Sequence, residues 1–365
     1  MRFKNKALIN KFKKYINSIS KDDRVAVLHH TDPDGVCSGV IISKVIEQVR
    51  GKKINLRCNQ KGNVHIITPK TFNLLKSKKI NKLILTDLGT DENPAYLKKI
   101  EKFADILIID HHKIYNNLNS KKTVFIKPQL ICSVNPAKYA ASKLCYDLCS
   151  TVADVSDLDW FAAVGSIGDI ATKPWTAWLN KVFKKYKLKK YKDLFKTKFG
   201  QCAILISSAE SFDVKNVKLA FDVLYNAKSY RDVLKSKLIK FRKKIDDELQ
   251  KYLKNLKKDA LFDKDIIYYE IKPKYHTKSP LCTILGQKYK HNSVFVADIS
   301  RNPIGISGRR SDVKVEINKA FEDACKNIPN SSAGGHAVSA GATVPKKYYK
   351  KFKENLFNIL KNKRR

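Results

Sequence analysis

Three short apolar runs in the first third of the sequence each end in acidic residues or histidines. The run VAVL at 25–28 is followed by HHTDPD, KLILT at 82–86 by Asp87, and ILII at 106–109 by DHH. Such runs predict buried strands, and helical stretches separate them along the chain. Strands that alternate with helices favour an α/β fold with a mainly parallel sheet and helices on both faces. The carboxyl ends of parallel strands meet at one edge, where functional residues gather, so these polar groups are expected to converge.

The same pattern divides the chain into three parts. In the first part, 1–175, strands are predicted at 24–28, 55–58, 65–67, 82–85, 106–109 and 123–126. Helices are predicted between them at 39–49, 70–78, 94–103 and 137–149. Residues 176–260 are basic and helical, and 229–258 is interpreted as one long helix that links two domains. A smaller C-terminal α/β domain is predicted for 261–365.

Charge is the unusual feature of the composition. The chain carries 73 Lys plus Arg against 34 Asp plus Glu, a net charge of +39. A field of this size attracts polyanions such as nucleic acid. Solvated helix faces would show the same lysines, so the runs at 184–190 and 251–258 leave both interpretations open.

Cysteine usage and hydropathy bear on the compartment. The eight cysteines form no CxxC pair, and they are expected to be reduced packing residues. No stretch approaches the roughly 18 apolar residues of a membrane span, and the N-terminus has no apolar core typical of a signal peptide. The sequence therefore predicts a cytoplasmic protein without membrane association.

The acidic residues and one imidazole suit hard divalent cations. Asp32 and Asp34 are separated by one residue and can serve different ions, while Asp87, Asp169 and His111 supply further ligands. Without metal, so many converging carboxylates would repel one another and raise their pKa values. A pair of ions about 4 Å apart would remove this repulsion and lower the pKa of a bound water. The acids Asp91 and Glu92, in contrast, are expected to cap the helix near Pro94.

Five motifs in order carry a resemblance to a known family. They are DPDG at 32–35, TDLG at 86–89, DHH at 110–112, GDIA at 168–171 and GGHAVSAG at 334–341. Together they resemble the DHH phosphoesterase superfamily, in its branch with a C-terminal DHH-associated domain. That branch includes RecJ-type single-strand exonucleases, archaeal RecJ-like nucleases and nanoRNase-type phosphodiesterases. The resemblance implies a catalytic domain at 1–175 and a substrate-binding domain at 261–365.

The resemblance also implies roles for individual residues. A site for two Mn²⁺ ions, with Mg²⁺ as the alternative, would be held by Asp32, Asp34, Asp87, His111 and Asp169, with Asp87 as the bridge. His112 would face the scissile phosphate, and Asp110 would orient a histidine. Some members have a histidine where this chain has Leu28, so His30 is a further candidate ligand by a local rearrangement.

For the C-terminal domain, the resemblance implies phosphate binding by Gly334, Gly335 and His336. An arginine of SGRRS would add a bidentate phosphate contact, and spacing does not distinguish Arg309 from Arg310.

The function that follows is a two-metal phosphodiesterase acting on single-stranded DNA or RNA, or on oligonucleotides, as an exonuclease. One alternative is a small-nucleotide phosphodiesterase that takes dinucleotides, cyclic dinucleotides or phosphoadenosine phosphate. A pyrophosphatase is disfavoured, because members with that activity lack the GGH segment. The other alternative is a replication scaffold similar to Cdc45, which has lost catalysis. In either role, a replication or repair protein is a possible partner.

Overall fold

The computed structural model describes residues 3–60 and 67–362. It divides into two compact units, residues 1–242 and 243–365. The α/β class expected from the sequence is confirmed in both. The helices expected at 176–260 are present, but those before residue 242 share the hydrophobic core of the first unit. The functional division at 175 and 260 therefore stays a prediction.

The first unit is built around a five-stranded sheet in which every strand pair is parallel, with the order β2-β1-β3-β4-β5. The elements up to its last strand are α1 Lys6–Asn17, β1 Val25–His29, α2 Pro33–Arg50, β2 Leu56–Asn59, α3 Pro69–Ser77, β3 Lys82–Thr86, α4 Ala95–Ile100, β4 Asp105–Ile109 and β5 Thr123–Ile126. The predicted strand at 65–67 lies outside the described residues at its first two positions.

Helices cover both faces of this sheet, as predicted. Val25 and Val27 of β1 belong to one core cluster, whereas Ala26 and Leu28 belong to another. This alternation is expected of a strand whose successive side chains point to opposite faces. The first cluster includes apolar residues of α1 and α2, and the second includes those of α3 and α4.

The register of the strands aligns their carboxyl ends. His29 pairs with Thr86, Thr86 with Ile109, and Ile109 with Ile126. The next residue of each strand therefore falls in one row, which consists of His30, Asp87, Asp110 and Lys127. Backbone hydrogen bonds continue into this row, because the N–H groups of its first three members donate to Thr86, Ile109 and Ile126.

Helices complete the first unit after β5. They are α5 Pro128–Ile131, α6 Ala141–Cys149, α7 Asp159–Gly168, α8 Thr176–Lys185, α9 Lys198–Phe212, α10 Val217–Asn226, α11 Tyr230–Leu234 and α12 Ile239–Asp259, the last of which continues into the second unit. The prediction of one long helix at 229–258 is wrong, because α11 and α12 are separate. Ser236 accounts for the break: its hydroxyl donates to Val233 O and accepts from the N–H of Leu238, in place of helical bonding.

The second unit holds a mixed six-stranded sheet of order β10-β11-β9-β8-β7-β6, in which only β7 and β8 are parallel among the described pairs. Its elements are β6 Leu261–Asp263, β7 Ile266–Ile271, α13 Lys278–Lys288, β8 Ser293–Asp298, β9 Ile304–Arg309, α14 Ile317–Cys325, β10 Ser332–His336, β11 Ser339–Val344 and α15 Tyr349–Asn362. Apolar residues of α14 and α15 pack with those of the sheet.

All eight cysteines are free thiols. Among the described residues, no helix combines the length and the apolar character that crossing a bilayer demands.

Candidate metal centre

The DPDG segment is the start of a helix. Asp32 is the N-cap of α2, its Oδ1 accepts the N–H of Gly35 at 2.8 Å, and Pro33 occupies the first helical position. This is six residues earlier than the predicted start of the helix, because Pro and an N-cap aspartate favour a helix start. Asp34 therefore lies in the first turn of α2, just past β1.

Asp87 occupies the middle of the candidate site. Its backbone has φ of 60°, a left-handed conformation that Asp tolerates better than most residues. Its Oδ2 lies 3.6 Å from Nδ1 of His30, and its Oδ1 lies 3.3 Å from Nε2 of His111. Nδ1 of His30 is also 3.2 Å from Oδ1 of Asp32. The structure thus brings His30, Asp32 and Asp87 together as three potential ligands of one ion.

A second three-ligand group lies on the other side of Asp87. It consists of Asp34, His111 and Asp169, whose potential ligand atoms also lie within 4.8 Å of one another. Asp169 is the C-cap of α7, and its Oδ2 is 3.9 Å from Nδ1 of His111. The two oxygens of Asp34 accept the backbone N–H groups of Ala141 and Ser142 at 2.6 and 2.9 Å. Asp34 is therefore anchored by the N-terminal turn of α6.

Electrostatics indicate that this set of side chains needs a cation. Burial raises the pKa of Asp34 well above its usual range, and the carboxylates of Asp87 and Asp169 raise it further. Burial likewise raises the pKa of Asp169 to about 6. Burial would also raise the pKa of Asp87, but the imidazoles of His111 and His30 beside its carboxylate outweigh burial and lower that pKa. The carboxylates thus repel one another and rely on imidazoles for compensation.

The donors fit a pair of Mn²⁺ or Mg²⁺ ions. Oδ1 of Asp87 is buried and, among the described residues, accepts no hydrogen bond of good geometry. An orphaned carboxylate oxygen between two groups of oxygen and nitrogen ligands is what a bridging ligand presents before it binds. His30, Asp32, Asp34, Asp87, His111 and Asp169 are therefore the residues that could hold the ions.

Asp110 and His112 form the pair expected beside the metal ligands. Oδ1 of Asp110 lies 2.7 Å from Nδ1 of His112. Asp110 is fully buried, whereas a quarter of the His112 side chain is exposed. Burial would raise the pKa of Asp110, but His112 and Lys127 hold that pKa well below its usual range. The ionised carboxylate accepts the Nδ1–H of His112, so Nε2 is the ring nitrogen that this contact does not use.

Sequence reasoning missed two charged residues beside this pair. Asp91 does not cap the helix near Pro94, because it is fully buried and Pro94 has no side-chain cap. Asp91 instead accepts the Tyr115 N–H at 2.7 Å and pairs with Lys127. Lys127 directly follows the apolar run TVFI at 123–126. A search for every charged residue that directly follows a predicted strand, which is how Asp87 and Asp110 were selected, would also have found Lys127.

The glycine motif of the second unit forms the β10–β11 hairpin at an edge of the sheet. Gly335 has φ of 126°, and an added Cβ would lie 2.7 Å from Ser339 O, so the fold itself requires glycine there. An added Cβ at Gly334 would meet no atom within 4 Å. The fold therefore does not require glycine at position 334, and the space beside this residue is open to a ligand. His336 ends β10 and is half-buried.

The structure distinguishes the two arginines of SGRRS. Arg310 is buried, with Nη1 2.7 Å from Asp265 and Nε 2.6 Å from Asp312. These two ion pairs hold Arg310 within the fold and make it the weaker of the two phosphate-binding candidates. Arg309 donates to Ser279 Oγ at 3.1 Å and to Gly308 O, and among the described residues it forms no ion pair. Arg309 is the guanidinium available to a ligand.

Comparisons with known proteins agree with this architecture. The family model described as "DHH family, N-terminal domain" matches residues 24–163, and the DHHA1 domain model matches residues 265–362. No curated protein matches the chain.

Solved structures share its fold at low identity. RecJ from Thermus thermophilus, in complex with Mn²⁺, is similar at TM-score 0.72 and 14% identity, covering 98% of this chain and 54% of that one. The pGpG-specific phosphodiesterase PggH from Vibrio cholerae has TM-score 0.51 and 13% identity, covering 93% and 100%. CDC45 from Entamoeba histolytica has TM-score 0.51 and 12% identity, covering 96% and 97%.

Proposed function

Because the chain belongs to the DHH superfamily of phosphoesterases and carries a DHHA1 domain, we propose that it is a metal-dependent phosphodiesterase. Its proposed substrate is single-stranded or short nucleic acid, which it degrades as an exonuclease. The observation that carries the proposal is the position of Asp87, which forms one three-ligand group with His30 and Asp32. Its Oδ1 faces His111 of the other group, which also includes Asp34 and Asp169.

Two Mn²⁺ or Mg²⁺ ions, when bound by these residues, would supply the Lewis acidity that activates water and neutralises charge on a phosphoryl group. The chain's own residues then hold and orient the other groups. Asp34 is fixed by the N–H groups of Ala141 and Ser142, so its carboxylate has a defined position. Asp87 is fixed by the β3–β4 ladder, because its backbone N–H donates to Ile109 O at 2.9 Å.

His112 would contact the scissile phosphate. Its Nδ1–H is donated to Asp110, so the ring is held in one orientation. Nε2 is then the ring nitrogen that would approach a phosphoryl oxygen, where a hydrogen-bond donor stabilises the charge that develops. The carboxylate of Asp110 orients the ring, as an acid does behind a catalytic histidine.

Phosphate recognition is proposed for the second unit. Gly334 offers an open backbone approach on the edge strand β10, which His336 ends. Arg309 offers a guanidinium that forms no ion pair with the described part of the chain. The net charge of +39 supports a polymeric anion over a dinucleotide. The fold shared with RecJ is compatible with this substrate but does not determine it.

The second candidate, a small-nucleotide phosphodiesterase, is favoured by the fold shared with PggH. Hydrolysis of a 2-mer and a 20-mer by the same preparation, with Mn²⁺, separates the two. We expect the 20-mer to have the higher kcat/KM, and a tenfold preference for the 2-mer would reverse the assignment. End-labelled DNA and RNA of each polarity would then define the direction and the sugar.

A scaffold role is the third candidate, given the fold shared with CDC45. A chain without catalysis has no need to keep six potential ligands together, so the filled site supports activity. The deciding comparison is Mn²⁺-dependent hydrolysis by the wild type and by Asp87→Ala. Equal rates from both proteins would reject the catalytic assignment.

A further inference from the structure

A buried chain of charges lies behind Asp110. Nζ of Lys127 is 2.8 Å from Oδ2 of Asp110 and 2.7 Å from Oδ1 of Asp91. It also donates to the backbone carbonyl of Lys113 at 2.8 Å. All three charged side chains are fully buried. Ammonium groups are rarely placed where solvent cannot reach them, so this arrangement calls for an explanation.

The sheet register accounts for the position of Lys127. Ile109 pairs with Ile126 across the parallel strands β4 and β5, so the next residues, Asp110 and Lys127, are neighbours in one row. The backbone N–H of Asp110 donates to Ile126 O, which extends the ladder to this row. Lys127 thus meets Asp110 from the side opposite His112.

The two oxygens of Asp110 consequently have different partners. Oδ1 accepts from His112, and Oδ2 faces Lys127. The contact at Oδ2 is an ion pair without hydrogen-bond geometry. It restricts rotation of a carboxylate whose Oδ1 already accepts from His112, whereas a carboxylate held at a single oxygen can turn and carry the imidazole with it. We propose that Lys127 is a positioning residue, which fixes the Asp110 carboxylate and through it the orientation of the His112 ring. The effect on catalysis rests on the function proposed above.

Asp91 extends this support to the loop after the DHH motif. Its Oδ2 accepts the N–H of Tyr115, and the amide of Asn116 donates to its carbonyl at 2.7 Å. Since Lys127 holds both Asp91 and Lys113 O, it ties the loop that carries His112 to the end of β5. The loop and the carboxylate are therefore fixed by one ammonium group.

The competing explanation is that Lys127 only neutralises two buried acids. Removing Lys127 alone cannot separate these roles, because Asp91 and Asp110 would both be left without a cation. A better-matched test compares the single variant Asp91→Asn with the double variant Asp91→Asn/Lys127→Met. In the first variant the Lys127–Asp110 contact remains, and in the second it is removed without an orphaned charge at position 91.

Two readouts test the positioning role. The first is kcat and KM for hydrolysis of an oligonucleotide with saturating Mn²⁺. We expect the double variant to lose about 10- to 100-fold in kcat relative to Asp91→Asn, with KM within about threefold, since misorientation of one catalytic group costs rate rather than binding. The second is the nitrogen-15 spectrum of His112, assigned with His112→Gln, in protein without metal. We expect the Nδ1–H signal to shift or broaden in the double variant only.

Each result bears on the proposal. If kcat of the double variant stays within twofold of Asp91→Asn, or if kcat falls while the His112 signals are unchanged, Lys127 does not act through Asp110. Failure of the double variant to fold overturns the proposal too, because Lys127 would then be required for the fold itself. Lys127→Arg, which keeps a cationic donor, is expected to retain the wild-type His112 signals.

The spectrum separates this proposal from the proposed function. If the wild type hydrolyses no nucleic acid, the proposed function fails, while the His112 signals still report whether Lys127 sets the ring orientation.

Discussion

Oδ1 of Asp87 lies 3.3 Å from Nε2 of His111, at the carboxyl ends of two neighbouring parallel strands. This contact joins the two groups of potential metal ligands, because the other oxygen of Asp87 faces His30. The arrangement makes Asp87 the residue on which the proposed chemistry depends most.

Asp87→Asn is expected to lower Mn²⁺-dependent kcat by at least about 100-fold, since removal of groups that merely support ligands already costs 10- to 100-fold. Asn tolerates the left-handed backbone at this position, so the fold should be retained. The matched control is Asp105→Asn. Asp105 begins β4 at the edge of the sheet opposite Asp87, where it pairs with Lys82 and Lys122. A control variant as impaired as Asp87→Asn would contradict the assignment.

Metal binding should stabilise the protein. Burial, together with repulsion from neighbouring carboxylates, raises the pKa values of Asp34 and Asp169, and a bound cation offsets both causes. At Mn²⁺ 100-fold above its dissociation constant, one site adds about 2.7 kcal/mol to the free energy of unfolding. Calorimetry with Mn²⁺ and then with EDTA measures this gain and its loss. The gain should be smaller in Asp87→Asn, and an equal gain would place the ions elsewhere.

The two glycines of the β10 motif should respond differently to alanine. Gly335→Ala is expected to lower the melting temperature, because φ of 126° and contact with Ser339 O exclude a Cβ. Gly334→Ala should leave the melting temperature unchanged and raise KM for an oligonucleotide. If KM is unchanged in Gly334→Ala, the open space in front of this residue does not receive substrate.

Substitutions of the two arginines of SGRRS should also have different effects on stability and on KM. Arg310→Leu removes the ion pairs of Arg310 with Asp265 and Asp312 and is expected to cost about 2–3 kcal/mol of stability, less than for a fully buried pair because both acids are partly exposed. Arg309→Ala should cost less than about 0.5 kcal/mol, as at ordinary surface positions, and raise KM. The reverse pattern in urea unfolding and kinetics would reassign the phosphate contact.

Lys278 is expected to make the free energy of unfolding of the second unit depend on pH. Burial lowers the pKa of its amino group, which donates to Ser307 Oγ, to about 8. The unfolded chain keeps this proton up to about pH 10.4. Between these values the unfolded state binds more protons, so the free energy of unfolding rises with pH. Since the side chain is only half-buried, we expect a gain of up to about 2 kcal/mol.

Calorimetry of the full chain at pH 7.5 and 9.5, for wild type and Lys278→Met, measures this gain. Other groups titrate alike in both proteins, so the difference between them isolates Lys278. A gain of equal size in Lys278→Met would show that other groups cause it.

Much of the catalytic unit could be predicted from local sequence. Apolar runs and helical periodicity predicted the parallel sheet, because burial on both faces selects continuous β-branched runs. Residue types at the strand ends predicted candidate metal ligands, because carboxylates and imidazoles are seldom placed there without a partner, and the structure brings these side chains together. Asp91 was misassigned, since an acid four residues before a helix looks the same in sequence whether it caps that helix or lies buried against Lys127.

The sequence by itself determined which elements form and which side chains stand at their ends, because hydrophobic periodicity and capping act between residues close in the chain. Only the tertiary structure decided which ends meet. Strand register placed Asp110 beside Lys127, and burial separated Arg310 from Arg309. These outcomes depend on contacts between distant segments, and such contacts follow from packing that no local pattern records.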